Sequence, residues 1–177
     1  QGILTFSTAP DYDSGTACDA GNSCVVEVIA TDGSLTDTIT VTVAITDAND
    51  QAPTYSGGDT TPSVLEGRTA VDSFVVVDTD TGDSNTCTLG GTDSTSFTCT
   101  VSGDSVSIAF ASEPDYETPG SAAGTNVYGL TVTINDGAQN GATMAYTVTV
   151  TDLTEIIIPS GQTGSVAENS AVGTTVM

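Results

Sequence analysis

The sequence predicts an all-β fold of the sandwich type, and three observations carry that prediction. Short runs rich in Val, Thr and Ile alternate apolar with polar residues, the period-two signature of half-buried strands. Clusters of Gly, Asp, Asn, Ser and Pro separate those runs, and these residues favour turns because they tolerate positive φ or bond their own backbone. No stretch keeps a helical period over the two or three turns a helix needs. In chain order the strand candidates are 23–32 (SCVVEVIATD), 36–46 (TDTITVTVAIT), 71–80 (VDSFVVVDTD), 96–103 (SFTCTVSG), 105–112 (SVSIAFAS), 127–136 (VYGLTVTIND) and 144–152 (MAYTVTVTD). Several short strands at regular spacing are the mark of a two-sheet sandwich.

Charge narrows the function. The 177 residues hold 23 Asp plus Glu against a single cation, Arg68, with no Lys and no His, for a net charge of −22. Nucleic acid binding needs cations to displace counterions from phosphates, and anionic membranes repel such a chain. Without His there is no imidazole base and no Ser-His-Asp triad. Paired acids such as Asp78 and Asp80 resemble a glycosidase pair, but they fit better in the pattern below, and no enzyme activity is expected. No stretch holds about 18 apolar residues, so no membrane insertion is expected in this segment. Cations are what such a chain attracts. Two like charges about 4 Å apart repel by roughly 1 kcal/mol in water and roughly 4 kcal/mol at an effective dielectric of 20, so clustered carboxylates call for an ion among them.

The four cysteines form two close pairs, Cys18 with Cys24 and Cys87 with Cys99. Four cysteines allow three connectivities, of which pairing within each couple is the simplest. Such disulfides imply an oxidising, extracellular or cell-surface setting. The second couple lies in CTLGGTDSTSFTC, which reads as a hairpin turning near Gly90 and Gly91.

A repeat organises the whole chain. Phe6 matches Phe110, Pro10-Asp11-Tyr12 matches Pro114-Asp115-Tyr116, and Thr31-Asp32-Gly33 matches Asn135-Asp136-Gly137, each 104 residues apart. TVAITDANDQAP then matches TVTVTDLTEIIIP, and TPSVLEG matches TGSVAEN. Residues 1–50 therefore read as the second half of one repeat, 51–155 as a whole repeat, and 156–177 as the start of another. Such a chain is expected to belong to a longer tandem array.

The acids collect at the repeat boundaries. Asp47, Asn49 and Asp50 end one repeat, Asp11 and Asp13 lie in its earlier loop, and Asp78, Asp80 and Asp136 end strands of the next. Ends of alternate strands share one pole of a sandwich, so folding can gather them. Hard oxygen ligands in that number suit Ca²⁺, which takes six to eight of them in flexible geometry. The acids Asp83, Asp93 and Asp104 read instead as solvated turn residues.

These motifs together resemble the cadherin repeat. DANDQAP (47–53) is similar to that family's inter-repeat linker, PDYD and PDYE to its acidic loop, DTD to its DxD motif, LEG and AEN to its glutamate motif, and TDG and NDG to its strand-end Asp. The resemblance covers essentially the whole chain in the right order. It implies tandem seven-stranded Greek-key, immunoglobulin-like sandwiches with Ca²⁺ held in each linker. At the first linker it implies Asp11, Asp13, Asn49, Asp50, Asp78, Asp80 and Asp136, with the carbonyls of Ala48 and Gln51. The carbonyl of Asn85 is a further candidate across a loop one residue longer than usual. At the second linker it implies Glu66, Asp115, Glu117 and Glu155. That linker reads DLTEIIIP, with Thr154 where the pattern has Asn and Glu155 where it has Asp, so a weaker site is expected there.

The function the resemblance implies is a calcium-stiffened extracellular segment mediating cell or surface adhesion. The alternative is a structural component of an extracellular filament or matrix. Partners would be other copies of the same protein or another surface or matrix protein. The chain has no Trp, which the strand-swapped adhesion of mammalian cadherins requires.

Overall fold

The computed structural model describes residues 2–15, 18, 21–82 and 84–154. Ten strands follow one another in these residues: β1 (Ser23–Thr31), β2 (Thr36–Ala44), β3 (Thr54–Gly57), β4 (Ser63–Leu65), β5 (Ala70–Val77), β6 (Thr86–Gly90), β7 (Phe97–Ser102), β8 (Ser105–Phe110), β9 (Val127–Asn135) and β10 (Met144–Thr151). A single 3₁₀ turn, Ser94–Ser96, precedes β7. The all-β expectation holds, and all seven strand candidates read from the sequence form strands.

β3 to β10 build a sandwich of two four-stranded sheets, ordered β4-β10-β9-β6 and β3-β5-β8-β7. The first strand is split, with β3 antiparallel to β5 in one sheet and β4 parallel to β10 in the other. Eight segments thus serve as seven strands. Alternation supplies the core: on β9, Tyr128, Leu130, Val132 and Ile134 point inward, and on β10 Met144, Tyr146, Val148 and Val150 do. Phe74, Val106, Ile108 and Phe110 meet them from the other sheet. Phe97 stacks on Phe110, and both rings meet Tyr128 edge-on at 5.9 and 5.2 Å. Burial of this set on both inner faces is the main stabilising term of the sandwich.

The reading of residues 87–99 as a hairpin needs correcting. β6 pairs with β9 and β7 with β8, so the segment crosses from one sheet to the other. The Cys87–Cys99 disulfide joins those two edges, and Cys18–Cys24 is the other bond. Asp93 also departs from expectation: it is buried rather than solvated. Its Oδ1 accepts the N–H of Ala122 at 2.6 Å and its Oδ2 that of Gly129 at 2.7 Å, fastening the crossover to β9. The desolvation of this acid is offset by two charge-assisted bonds. Asp104 is exposed as expected, and Asp83 lies outside the described residues.

β1 and β2 form an antiparallel pair by themselves, with Ser23 opposite Ala44 and Thr31 opposite Thr36. From β2 the chain runs through 45–53 into the sandwich. Pro53 is fully buried. A Cβ on Gly141 would collide with the Pro53 carbonyl, so only glycine lets the linker seat there. That seat places the acids of 47–51 against the loops after β5 and β9.

Candidate metal centre at the repeat junction

Four elements deliver the carboxylates of the first junction, Asp136 coming from the loop after β9. The loop after Pro10 supplies Asp11 and Asp13, the linker supplies 47–51, and the loop after β5 supplies Asp78 and Asp80. One carboxylate oxygen from each of Asp13, Asp47 and Asp80 lies within 4.8 Å of the others. The linker and the sandwich also bond directly. Asp80 Oδ2 accepts the N–H of Asp50 at 2.8 Å and of Gln51 at 2.7 Å. Asn49 donates its side-chain amide to the carbonyl of Asp136 at 3.2 Å. Thr81 donates its N–H and hydroxyl to Asp47 Oδ2.

What remains unsatisfied matters most. Asp13 Oδ1, Asp47 Oδ1, Asp78 Oδ2, Asp80 Oδ1 and Asp136 Oδ2 are buried and find no hydrogen-bond partner among the described residues, and Asn85 Oδ1 joins them. Asp80 is 7% and Asp136 2% exposed. The opposite oxygen of Asp136 is taken by the N–H groups of Ala138 and Gln139 at 2.7 and 2.6 Å, as that of Asp78 is by the N–H of Asp80. Buried anionic oxygens without partners cost several kcal/mol unless a cation meets them. All are hard oxygen donors, the set that fits Ca²⁺.

Charge leaves its mark on ionisation. The Asp13 carboxyl is pushed above its ordinary 3.8, first by burial and then by the charges of Asp80, Asp47, Asp50 and Asp11. Asp47 is held below its ordinary value, chiefly by the Thr81 hydroxyl. At Asp136 burial pushes upward, but the amides of Gln139 and Ala138 outweigh it and the net shift is down.

Of the residues expected at this junction, the structure brings together Asp13, Asn49, Asp50, Asp78, Asp80 and Asp136. Asp11 is among the charges acting on Asp13, though its Oδ1 accepts the N–H of Ser14 at 3.0 Å. Ala48 and Gln51 lie on the same linker, and their carbonyls stay candidates. Asp47 stood out in the sequence as a strand-end acid but was left out of the inferred ligand set. One of its oxygens nonetheless lies close to those of Asp13 and Asp80, which makes it a candidate as well. For Asn85 the side-chain oxygen, not only the carbonyl, is available.

The second pole gathers Glu66, Asp115 and Glu117 within 4.8 Å. Here Glu66 is buried and both its oxygens are used: Oε1 accepts the N–H of Leu153 at 2.7 Å and Oε2 that of Tyr116 at 2.9 Å. The amide of Leu153, followed by that of Tyr116, holds its carboxyl below the ordinary 4.5. Glu155 lies outside the described residues.

No protein-family model and no curated protein matches the sequence. Solved structures match it by fold. The cis-dimer structure of protocadherin gammaB7 EC3-6 is similar at a TM-score of 0.61, with 23% identity over 81% of this chain and 33% of that one. Mouse cadherin-23 EC22-24 is similar at 0.59, with 20% identity over 82% of this chain and 45% of that one. The human desmocollin-1 ectodomain is similar at 0.56, with 18% identity over 75% and 27%. The chain thus spans less than half the length of each. The fold is all-β and immunoglobulin-like, antiparallel apart from the β4–β10 pair. Its particular form is the cadherin-like repeat.

Proposed function

We propose that the first junction is a Ca²⁺ site joining two cadherin-like repeats of an extracellular segment that mediates cell or surface adhesion. The observation that carries this reading is the set of buried, unpartnered oxygens on Asp13, Asp47, Asp78, Asp80 and Asp136, drawn from both sides of one linker. The division it assumes is a half repeat over 1–50, a whole repeat over 51–155 and a further repeat from 156. Asp13, Asp47, Asp78, Asp80 and Asp136 would hold the ion, with Asp11, Asn49, Asp50, Asn85 and the carbonyls of Ala48 and Gln51 completing the shell. A divalent cation there neutralises their mutual repulsion. The protein residues do the rest: they fix the linker at Pro53 and carry acids from both sides to one point. Glu66, Asp115, Glu117 and Glu155 would form a second, weaker site, because Glu66 already spends both oxygens on backbone amides. The two disulfides and the likeness to ectodomain structures support an extracellular setting. Other copies of this chain or another surface protein are the partners such a segment would meet.

The test is isothermal titration of the whole chain with Ca²⁺ after EDTA treatment, with Mg²⁺ as control and X-ray scattering at each end point. Saturable Ca²⁺ binding, with a longer and stiffer particle and a much weaker Mg²⁺ response, is expected. Absence of Ca²⁺ heat and of any change in scattering would remove the assignment.

A further inference from the structure

Two adjacent residues of one loop grip the linker from opposite directions. Asp80 accepts the N–H groups of Asp50 and Gln51, while Thr81 donates to Asp47. The second contact is double: the Thr81 N–H lies 2.8 Å and its hydroxyl 2.6 Å from the same atom, Asp47 Oδ2, across 34 residues of sequence. Both bonds are charge-assisted, the stronger kind. Their consequence is orientational. A carboxylate with one oxygen doubly held has its rotation fixed, and here the other oxygen, Oδ1, is left buried and without a partner. One oxygen of Asp47 lies within 4.8 Å of oxygens from Asp13 and Asp80.

We infer that Thr81 is a positioning residue for the junction: it clasps Asp47 Oδ2 and leaves Oδ1 free to face the ion. This rests on the reading of the junction as a Ca²⁺ site. The Thr81 hydroxyl is engaged with Asp47, so the role assigned to it is to hold a ligand in place. Its role is that of a group behind the ligands, whose loss typically weakens metal binding by roughly 10- to 100-fold.

The test uses the whole chain with Thr81→Val, which keeps the shape and removes the hydroxyl, and Thr81→Ser, which restores it. Calorimetric Ca²⁺ affinity is expected to fall roughly 10- to 100-fold in T81V and to return to near the parent value in T81S. Melting of T81V in EDTA is expected to stay unchanged, separating positioning from folding. An ion-free readout stands beside it: by NMR in EDTA, the Thr81 amide is expected to exchange slowly in the parent and to lose that protection in D47A. Parent-like Ca²⁺ affinity in T81V, or a T81S as weak as T81V, would overturn the role of Thr81 and leave the Ca²⁺ site standing. A parent chain with no Ca²⁺ binding would overturn the site itself, and the positioning role with it.

Discussion

The pairs β1–β2 and β9–β10 are built on one plan and end in opposite environments. β1 lies 104 residues before β9, residue for residue, and both pairs are antiparallel. Cys24, Val26, Val28 and Ala30 stand where Tyr128, Leu130, Val132 and Ile134 stand in β9. In β9 these are buried under the sheet β3-β5-β8-β7. In β1 only Cys24 is buried, Val26 is 36% and Val28 39% exposed, and Ile39 across the ladder is 62% exposed. Strand pairing and register are therefore written locally, whereas burial is supplied by another sheet. Among the described residues β9 has a facing sheet and β1 has none, and that alone separates two strands of the same pattern.

The largest expected effect sharpens that contrast. Leu130→Ala should destabilise the sandwich by about 2–5 kcal/mol, the range for emptying a packed core site. Its counterpart Val26→Ala should move the same denaturant midpoint by no more than about 0.5 kcal/mol. Equal losses at both positions would show that β1 has a core partner of its own. The disulfides come next. Cys87–Cys99 closes a loop of 12 residues across the two sheets. Replacing both cysteines by Ser should cost about 3 kcal/mol. The same change at Cys18 and Cys24, outside the sandwich, should leave its unfolding transition in place.

The smallest effect is in pH dependence, and its sign differs from one carboxylate to another. Glu66 and Asp136 ionise more readily in the folded sandwich than in the unfolded chain. Their contribution is present above the ordinary carboxylate values and is lost as pH falls through the lower folded ones. Asp13 is shifted the other way. The arrangement of its junction is favoured below 3.8 and loses support as pH rises through the raised value. In EDTA, mild acidification through the raised Asp13 value should thus tighten the junction by scattering while leaving the melting of the sandwich nearly flat. Further acidification should then lower that melting temperature. A junction that loosens on mild acidification would contradict the repulsion at Asp13.

The sequence by itself determined the strand class, the repeat offset and the identity of most acids at the junction. Alternation survives in each long strand because one face must meet a core, and acids at the ends of those strands follow from the repeat. β3 and β4 are not legible as strands, because TYSG and SVL are too short to show a period. The hairpin reading of β6 and β7 fails because sheet membership depends on hydrogen bonds to β9 and β8, far away in sequence. Burial of Asp93 depends on the amides of Ala122 and Gly129, which no local pattern links to it. The same holds for Asp47: the sequence showed an acid at a strand end, and only the tertiary structure turned one of its oxygens to Thr81 and left the other free. Local sequence sets a strand's period and chemistry; which oxygen keeps a partner is decided by distant groups, because hydrogen-bond demand is settled only after the chain has closed on itself.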